Sequence, residues 1–344
     1  MSLPTAKVGL QRPNSGPLID AFGRTHTYMR VSLTDRCNFR CTYCMPEEGL
    51  QWMAKERLLR FEEIVRIVTV MVGMGVHRVR LTGGEPTLRK DMVELVRMLT
   101  QIDGLTDLSM TTNGHLLEEL AAPLAAAGLH RVNISLDTVN AEQFAQLTRG
   151  GDLARVPRGI EKARESGLCP IKINAVMMAG ENAQQLIPLI EAFQPYASST
   201  QVRFIEAMPF GANSRRRHLS TAVMKTELGK KFQLDPLEAP QGGGPATNFR
   251  VRDSGMVVGF ISPITQHFCQ GCNRLRLMAD GHLRTCLSRD PRPSLRDVLR
   301  NGASDAQLED SIRDRVWRKV AGHEAHLDGD SFKPFEGVMT RIGG

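Results

Sequence analysis

Six strand-like segments follow one another from residue 28 onward, most of them about 30 residues apart, with helix-like segments between them. The strand-like segments are residues 28–33, 78–82, 108–111, 131–137, 171–176 and 202–206. A step of about 30 residues is typical of the right-handed βαβ unit, in which a helix returns the chain to the next parallel strand. The pattern predicts an α/β fold, an incomplete (β/α)6 barrel, with a doubly wound parallel sheet as the competing architecture.

The segments between the strands have helical spacing. In residues 61–73, for example, Ile64, Ile67, Val68 and Met71 fall on one helical face, and Gly73 marks the end of the segment. The sequence therefore predicts a helix between the first and second strands.

Three of the strands alternate apolar residues with polar ones such as Arg80, Asn133 and Lys172. Buried parallel strands are usually continuous apolar runs. If the apolar residues face the helices, the polar residues face inward, where burial without partners is costly. We therefore predict a wet or ligand-filled interior. The alternative, an edge strand facing solvent, explains one such strand more easily than three.

The chain length of 344 residues suggests two domains at about 150 residues each. Residues 1–20 show no apolar period and are predicted to form a mobile arm. The strand–helix rhythm breaks around residues 207–217, so residues 21–214 are predicted to form the barrel. Residues 215–344 are then a smaller carboxyl-terminal domain.

Charge and hydropathy limit the class of partner and the compartment. Lys plus Arg number 44 and Asp plus Glu 37, a net charge of +7 that suits a phosphorylated small molecule as well as nucleic acid. The longest apolar stretches, 67–76 and 121–129, are far shorter than the roughly 18 residues of a membrane span, and the amino terminus lacks a signal-type apolar core. We expect a cytoplasmic protein whose thiols stay reduced unless a metal binds them.

Six of the seven cysteines form two groups of three. The first triad is Cys37, Cys41 and Cys44, and the second triad is Cys269, Cys272 and Cys286; Cys169 stands alone and is predicted to be a small buried residue. Three thiolates in a tight loop suit a cubane iron–sulfur cluster with one iron left open to a small molecule. A zinc site completed by a distant ligand is the alternative for the first triad. For the second triad the alternative is a zinc knuckle completed by a nearby histidine, His267 or His282.

The first triad lies in SLTDRCNFRCTYCMP and is followed by VRLTGGEPTLR. With these motifs the chain resembles the radical S-adenosylmethionine (SAM) enzymes. Further segments make it resemble, more narrowly, the GTP 3′,8-cyclases, the first enzymes of molybdenum cofactor biosynthesis. These segments are TTNG, NISLD, KINAVMM, RFIEAMP, FCQGCNRLRL and the Gly-Gly end. The resemblance runs from about residue 20 to the last residue.

The resemblance implies two 4Fe–4S clusters, one on each triad, and SAM bound at the open iron of the first. It implies that Tyr43 presents its backbone to adenine, that Gly84 lets the chain approach the SAM amino group, and that Ser135 and Met208 contact SAM. Each of these residues also has an ordinary alternative, such as a packed aromatic, a strand-ending turn or a core methionine.

The resemblance also implies GTP as the substrate. The GTP phosphates and sugar would contact four residues on the strands, Arg30, Arg80, Thr111 and Lys172. The second cluster would bind the purine base. Three residues that follow the first two cysteines of that cluster would fix the base: Arg274, Leu275 and Arg276. Guanidinium and ammonium groups make the strong, charge-assisted contacts that a triphosphate requires. A single strand arginine is usually solvated or ion-paired, but several directed at one cavity need an anion there.

The double-glycine tail, Gly343 and Gly344, would enter the active site and be needed for activity. The implied reaction removes hydrogen from the ribose 3′ carbon of GTP and closes a bond to carbon-8 of guanine, which gives 3′,8-cyclo-7,8-dihydro-GTP. The implied partners are GTP, a reducing electron donor and cyclic pyranopterin monophosphate synthase as the next enzyme. The resemblance allows a homodimer and implies neither nucleic acid nor a membrane as a partner.

Two other functions are alternatives at this point. A radical SAM maturase acting on a peptide or RNA usually carries more cysteines in its second region than this chain does. A zinc-stapled, basic RNA-binding module predicts aromatic stacking residues among the cations. Aromatic residues make up only 5% of the chain, which disfavours that module.

Overall fold

The computed structural model describes residues 4–5, 11–210, 218–238, 244–287, 294–323, 327–328, 331–332 and 339 of the chain. No helix within these ranges is long and apolar enough to cross a membrane.

Six parallel strands form the centre of the molecule in the order in which they occur along the chain. They are β1 (Tyr28–Ser32), β2 (Arg78–Thr82), β3 (Asp107–Thr112), β4 (Arg131–Ser135), β5 (Ile171–Met177) and β6 (Thr200–Glu206). Each pairs in parallel with the next, so the strand order never reverses. A doubly wound sheet has such a reversal. The predicted incomplete barrel is therefore confirmed.

Helices cover the outer face of the strands and connect them. They are α1 (Phe61–Gly73), α2 (Met92–Thr100), α3 (Leu117–Ala126), α4 (Ala141–Thr148), α5 (Arg155–Glu165), α6 (Leu186–Phe193) and α7 (Thr221–Gly229). Helix α1 begins and ends where the spacing predicts. Its apolar face, with Ile64, Ile67, Val68 and Met71, is almost completely buried against the sheet. Burial of such side chains contributes about 1.5–3 kcal/mol each.

The carboxyl-terminal region extends the same sheet at both ends. It contributes β7 (Leu234–Pro236), β8 (Thr247–Val251), β9 (Val257–Ile261), β10 (Arg274–Leu277), β11 (Leu283–Arg284), α8 (Leu295–Arg300) and α9 (Asp305–Trp317), with a separate hairpin of β12 (Leu327–Asp328) and β13 (Ser331–Phe332). Strand β10 pairs in parallel with β1, and β9 pairs in parallel with β6. Within the described residues the sheet has eleven strands and is not closed: it ends at β11 on one side and at β7 on the other.

The last part of the predicted arm packs against the barrel. Leu18 and Asp20 are fully buried, and the Leu18 amide donates to the Met74 carbonyl at 2.9 Å. The packed chain therefore begins before residue 20. The domain boundary at residue 214 stays a prediction, and it falls in residues 211–217, outside the described part of the chain.

Candidate functional site

The inward face of the sheet is polar, and its residues form rows across neighbouring strands. Strand register places Arg276, Arg30, Arg80, Ser109 and Arg131 side by side on β10, β1, β2, β3 and β4. A second row runs through Thr111, Asn133, Lys172 and Gln201, and a third through Ser135, Asn174, Arg203 and Gly259. The alternate residues, such as Val79 and Leu81, are fully buried under the helices. The predicted orientation of the polar set is confirmed.

These rows hold cations close enough to oppose one another's charge. The pKa of Lys172 is lowered to about 7, first by burial and then by Arg203, Arg131 and Arg80. Burial and the charges of Arg80 and Arg131 likewise lower the pKa of Arg203 to about 10. Positive charge without a counter-ion is costly in a partly buried space. The interior is therefore built to receive an anion.

One carboxylate, that of Asp107, offsets part of this charge at the start of β3. It accepts two hydrogen bonds from the Arg131 guanidinium and lies 3.8 Å from the Arg78 guanidinium. Burial raises the pKa of Asp107, but the hydrogen bonds and charge of Arg131 outweigh that effect, so the pKa lies below its usual value. Asp107 thus orients Arg131 while the other cations keep their excess charge.

Several polar atoms of the interior are buried without a hydrogen-bond partner among the described residues. They include Oδ1 of Asn133, Oδ1 of Asn174 and Nε of Arg203. Gly259 leaves the space that the Arg203 side chain crosses, since a Cβ at Gly259 would lie 3.2 Å from Cγ of Arg203. Buried polar groups in proteins are normally satisfied. These atoms therefore indicate a ligand or ordered water in the interior, as the sequence predicted.

The first triad lies on the loop that follows β1. The Cys44 and Met45 amides donate to the Cys41 carbonyl at 3.0 and 3.1 Å, which forms a single turn around the thiols. The loop is also fixed to the end of α4, because the amides of Arg40 and Thr42 each donate to a carbonyl there at 3.0 Å. The cysteines are therefore held by backbone bonds that do not depend on their side chains.

Two of the thiols of this loop, those of Cys37 and Cys44, have raised pKa values. Burial, followed by the nearby charge of Glu85, raises the pKa of Cys37 to about 12. The pKa of Cys44 is raised well above its usual value by a hydrogen bond with Cys41 and by burial. Thiols buried together in this way favour a cationic iron cluster, which binds them as thiolates.

A single tetrahedral zinc ion needs a tighter arrangement, with sulfurs about 2.3 Å from the metal. No group of three His, Cys, Asp or Glu among the described residues could hold a single metal ion. Cysteine thiolates are the ligands by which proteins hold iron–sulfur clusters, and this loop supplies three cysteines.

Gly83 and Gly84 bring β2 into direct contact with the cluster loop. The amides of Gly84 and Glu85 donate to the carbonyls of Thr34 and Arg36, both at 2.7 Å. A Cβ at Gly84 would lie 2.3 Å from the Arg36 oxygen, a distance that real contacts do not reach. The glycine is therefore required here by the loop backbone, and its contact with SAM stays a prediction.

Replacing Gly84 by alanine should displace the cluster loop. We expect Gly84→Ala to lower the free energy of unfolding by about 1–3 kcal/mol, because the added methyl group overlaps backbone that is bonded on both sides. Urea unfolding of the metal-free chain and the iron content after reconstitution measure the two effects. The matched control is Gly73→Ala, at the end of α1, where a Cβ would meet nothing within 4 Å. Equal unfolding midpoints for the two variants would contradict this account.

Glu85, in the motif VRLTGGEPTLR, is a further functional candidate, although the sequence alone assigns it no role. Its carboxylate is buried and accepts hydrogen bonds from the hydroxyls of Thr87 and Thr112 and from the amides of Thr87 and Asn113. Burial nevertheless raises its pKa. The carboxylate ties the end of β3 to the segment after β2, behind the first triad.

Other residues that the resemblance implies for SAM lie at the carboxyl ends of the strands. The Tyr43 hydroxyl donates to Oδ2 of Asp137 at 2.7 Å, so its side chain anchors the cluster loop to the end of β4. Burial raises the pKa of Asp137 to about 6, and its Oδ1 accepts the Val176 amide. Ser135 ends β4, and Met208 follows β6; both are half-buried.

The second triad lies at the opposite end of the strands from the first. The first triad follows the carboxyl end of β1, whereas Cys269 and Cys272 precede the amino end of β10, the parallel neighbour of β1. Strand β11 runs antiparallel to β10, which returns Cys286 to the same end. Burial raises the pKa of Cys269, and the charges of Cys272 and Cys286 raise it further, so the three thiols are neighbours. The inward cations therefore lie between two sulfur sites.

Lys319 and His323, which follow α9, contact the second triad. The Lys319 ammonium is buried and lies 3.6 Å from the Cys272 sulfur, and it donates to the Arg274 carbonyl at 3.0 Å. Nδ1 of His323 lies 3.2 Å from the Cys269 sulfur. Burial alone would raise the pKa of Cys272, but Lys319 and Arg274 together lower it to about 6. A thiolate at neutral pH suits a metal ligand.

Arg24 joins the amino-terminal segment to the second triad. Its guanidinium donates to the carbonyls of Cys269, Val320 and Ala321 at 2.9, 2.8 and 2.6 Å. Asp20 orients it by accepting from its Nε at 2.6 Å. No periodic signal in the sequence points to Arg24, Lys319 or His323, because each acts through a contact between distant parts of the chain.

The remaining predicted residues are placed as follows. Arg274 stacks on Phe268, with its guanidinium carbon 4.3 Å from the ring centre. Leu275 is fully buried in the apolar core, so only its backbone can face the interior. Of the two histidines weighed as zinc ligands, His282 is paired with Asp280 at 2.9 Å. The tail residues Gly343 and Gly344 lie outside the described residues.

Sequence comparisons match most of the chain to known proteins. Two family models match, Radical SAM superfamily over residues 31–193 and Molybdenum Cofactor Synthesis C over residues 200–325. A GTP 3′,8-cyclase of Listeria monocytogenes is 40% identical over 335 residues, which cover 95% of this chain and 99% of that protein. A GTP 3′,8-cyclase of Paracoccus denitrificans is 43% identical over 314 residues, with 90% of each chain covered.

Among solved structures, Streptococcus suis SuiB bound to S-adenosylmethionine is similar with a TM-score of 0.59 and 16% identity. The match covers 87% of this chain and 68% of that one. A second crystal structure of Streptococcus suis SuiB gives a TM-score of 0.61 at 14% identity, with 88% of this chain and 66% of that one covered. At these identities the likeness concerns the fold alone.

Proposed function

The chain belongs to the GTP 3′,8-cyclases, radical SAM enzymes of molybdenum cofactor biosynthesis, and we propose how its own residues carry out the reaction of that family. The enzyme cyclises GTP to 3′,8-cyclo-7,8-dihydro-GTP and uses SAM and two 4Fe–4S clusters. When bound, the first cluster and SAM supply the radical that removes hydrogen from the ribose 3′ carbon.

The observation that carries the proposal is the placement of the inward cations between the two triads. A nucleoside triphosphate has a neutral base, a sugar and a strongly anionic tail. Arg30 and Arg80 on β1 and β2, together with Lys172 and Arg203 on β5 and β6, offer charge to that tail. The base then reaches the second triad, and the sugar points toward the first. GTP spans the interior in this arrangement.

At the first triad, Cys37, Cys41 and Cys44 would hold the cluster that binds SAM. Gly84 keeps the loop against β2, and Tyr43 ties it to Asp137, so both orient the site through the loop. Ser135 and Met208 lie at the strand ends nearest this loop and would contact SAM. Thr111, on the row of Lys172, would contact the sugar or phosphates.

At the second triad, Cys269, Cys272 and Cys286 would hold the cluster that binds the purine. Arg276 lies beside Arg30 on the inward face, and Arg274 lies beside Tyr28, so both can reach the base or its phosphates. Gly343 and Gly344 would complete the site from the tail. Strands and helices that surround both ends keep water from the reacting sugar.

The pH dependence of GTP binding tests the role of Lys172. Its lowered pKa of about 7 means that above pH 7 the free enzyme carries this amine largely neutral. A bound phosphate favours the charged form, so binding must then draw a proton from solvent. We expect the Kd for GTP to rise between pH 7 and pH 9 by up to about tenfold per unit.

Calorimetry at pH 8, in two buffers of different ionisation enthalpy, measures the proton uptake. Lys172→Arg keeps the charge at all these pH values and should show a flat Kd and little proton uptake. The same slope in both proteins would assign the pH dependence to another group.

The reaction itself is tested with GTP deuterated at the ribose 3′ carbon. The anaerobic, cluster-reconstituted protein receives SAM and reductant, and mass spectrometry follows 5′-deoxyadenosine and the nucleotide. Deuterium in deoxyadenosine together with a cyclised nucleotide is the expected result. Deoxyadenosine without deuterium beside unchanged GTP would point to another substrate for a radical SAM enzyme.

The reaction implies further partners, which we propose with it. An external reductant must supply two electrons per turnover: one cleaves SAM, and the second, together with a proton from solvent, reduces the cyclised nucleotide radical to the 7,8-dihydro product. Cyclic pyranopterin monophosphate synthase would consume the product, and both would be met in the cytoplasm. A homodimer is compatible with the proposal, and gel filtration with light scattering measures it.

A further inference from the structure

A basic cleft of about 440 Å³ lies on the outside of the barrel, behind the first triad. Its walls come from the cluster loop, the short helical turn before α1, the start of α1 and the segment after β2. Its cations are Arg36, Lys55, Arg60, Arg89 and Lys90, against the acidic residues Glu62 and Asp91. The cleft is therefore net positive, and none of its cations lies on the inward rows.

Some of these cations have partners within the protein, whereas others form no ion pair with the described residues. Arg89 donates to the Leu59 carbonyl and stacks on Phe61, and Arg60 pairs with Glu63. Arg36, Lys55 and Lys90 are exposed and form no ion pair with any residue of the described chain. Their charge is available to an anionic partner.

An exposed apolar side chain lies among these cations. Leu88 is 39% exposed and is one of three large hydrophobic residues that stand open to solvent in the described ranges. A small phosphorylated ligand does not need such a group, whereas protein interfaces combine an apolar centre with a charged rim. The combination favours a protein partner with an acidic surface.

The cleft adjoins the loop that carries the first triad. Thr34 and Arg36 line the cleft, and Arg36 is the residue before Cys37. Backbone bonds from Gly84 and Glu85 hold this stretch in place. A carrier seated in the cleft thus contacts Arg36, the residue that directly precedes the cluster ligand Cys37 of the proposed function.

We propose that this cleft is the docking site of an acidic one-electron carrier, a small iron–sulfur protein, that reduces the first cluster. The inference rests on the assignment of Cys37, Cys41 and Cys44 to that cluster. In the transfer the reduced centre of the carrier loses one electron and the first cluster gains it; no atom or proton moves. Plant-type ferredoxins are low-potential one-electron carriers of this kind. Opposite charge would raise the encounter rate and make it sensitive to salt.

The test uses the full-length, cluster-loaded enzyme and a reduced acidic [2Fe–2S] ferredoxin as the probe. The variant is Lys55→Glu with Lys90→Glu, both exposed and outside the proposed SAM and GTP contacts. The matched control is Lys162→Glu with Lys230→Glu, a half-buried lysine on α5 and an exposed lysine just after α7, both outside the cleft. Two quantities are measured anaerobically for each protein: the Kd for ferredoxin and the rate of 5′-deoxyadenosine formation, driven by ferredoxin or by dithionite.

We expect the cleft variant to raise the Kd for ferredoxin and lower the ferredoxin-driven rate by about tenfold or more at low salt. The dithionite-driven rate and the iron content should stay unchanged, and the control should match the parent enzyme. Leu88→Ala should weaken binding as well, with less dependence on salt.

An unchanged Kd and rate in the cleft variant would overturn the proposal. Loss of inorganic pyrophosphate binding with ferredoxin binding intact would overturn it too, in favour of a small-anion site. If dithionite yields no deoxyadenosine from the parent enzyme, the cluster assignment fails. The ferredoxin Kd then still decides the docking site.

Discussion

Cys41→Ala should abolish deoxyadenosine formation and remove about half of the iron that the parent chain binds, since it deletes a ligand of only one of two clusters. The loop itself should survive, because the Cys41 carbonyl still accepts the Cys44 and Met45 amides. The free energy of thermal unfolding of the metal-free variant should therefore be within about 1 kcal/mol of that of the metal-free parent. Iron analysis, the absorbance of the reconstituted protein and mass spectrometry of SAM products measure these effects.

The matched control is Cys169→Ala. Cys169 is half-buried before β5 and belongs to neither triad. This variant should keep its iron, its colour and its activity. Full deoxyadenosine formation by Cys41→Ala, or the loss of zinc rather than iron, would contradict the assignment of the first triad.

Cys286→Ala should separate SAM cleavage from cyclisation. The second triad lies at the far end of the strands from the cluster loop. Deoxyadenosine should therefore still form, now uncoupled from GTP. Cyclisation should fall by about a hundredfold or more, because the base loses the group that fixes it and the ribose is misplaced.

The measurement is the ratio of cyclised nucleotide to deoxyadenosine under dithionite. Lys319→Met, next to the same site, serves as a graded comparison: it keeps three cysteines but removes the ammonium beside Cys272. We expect its ratio to lie between those of the parent and Cys286→Ala. Full cyclisation by Cys286→Ala would refute the role of the second triad.

The barrel could be predicted from the sequence because each of its signals is local. The apolar face of α1 and the alternation around Arg80, Asn133 and Lys172 repeat within a few residues. The strands found agree with the predicted segments to within two residues at either end. The extensions by β10 and β9 could not be predicted in this way, since their pairing with β1 and β6 joins segments far apart along the chain.

In the candidate site, too, residues with a local sequence signal could be predicted, whereas residues that act through long-range contacts could not. The cysteines and the strand cations are visible in the sequence by spacing and period. Arg131 and Arg203 follow the same period as Asn133 and Lys172 and could have been included on that signal. Arg24 could not, because its role depends on three carbonyls about 250 to 300 residues away, which only the folded chain brings to it.

The two edges of the six-stranded parallel sheet are both covered by chain that is made later, β10 on β1 and β9 on β6. A nascent chain that has just completed β6 therefore presents two unpaired rows of backbone N–H and C=O groups, the geometry that favours aggregation between copies. The regions matched by the two family models therefore do not behave as independent modules that can be replaced one at a time. Gene fusions, truncated expression and recombination between relatives must carry both regions together, because each supplies the other with its sheet edge.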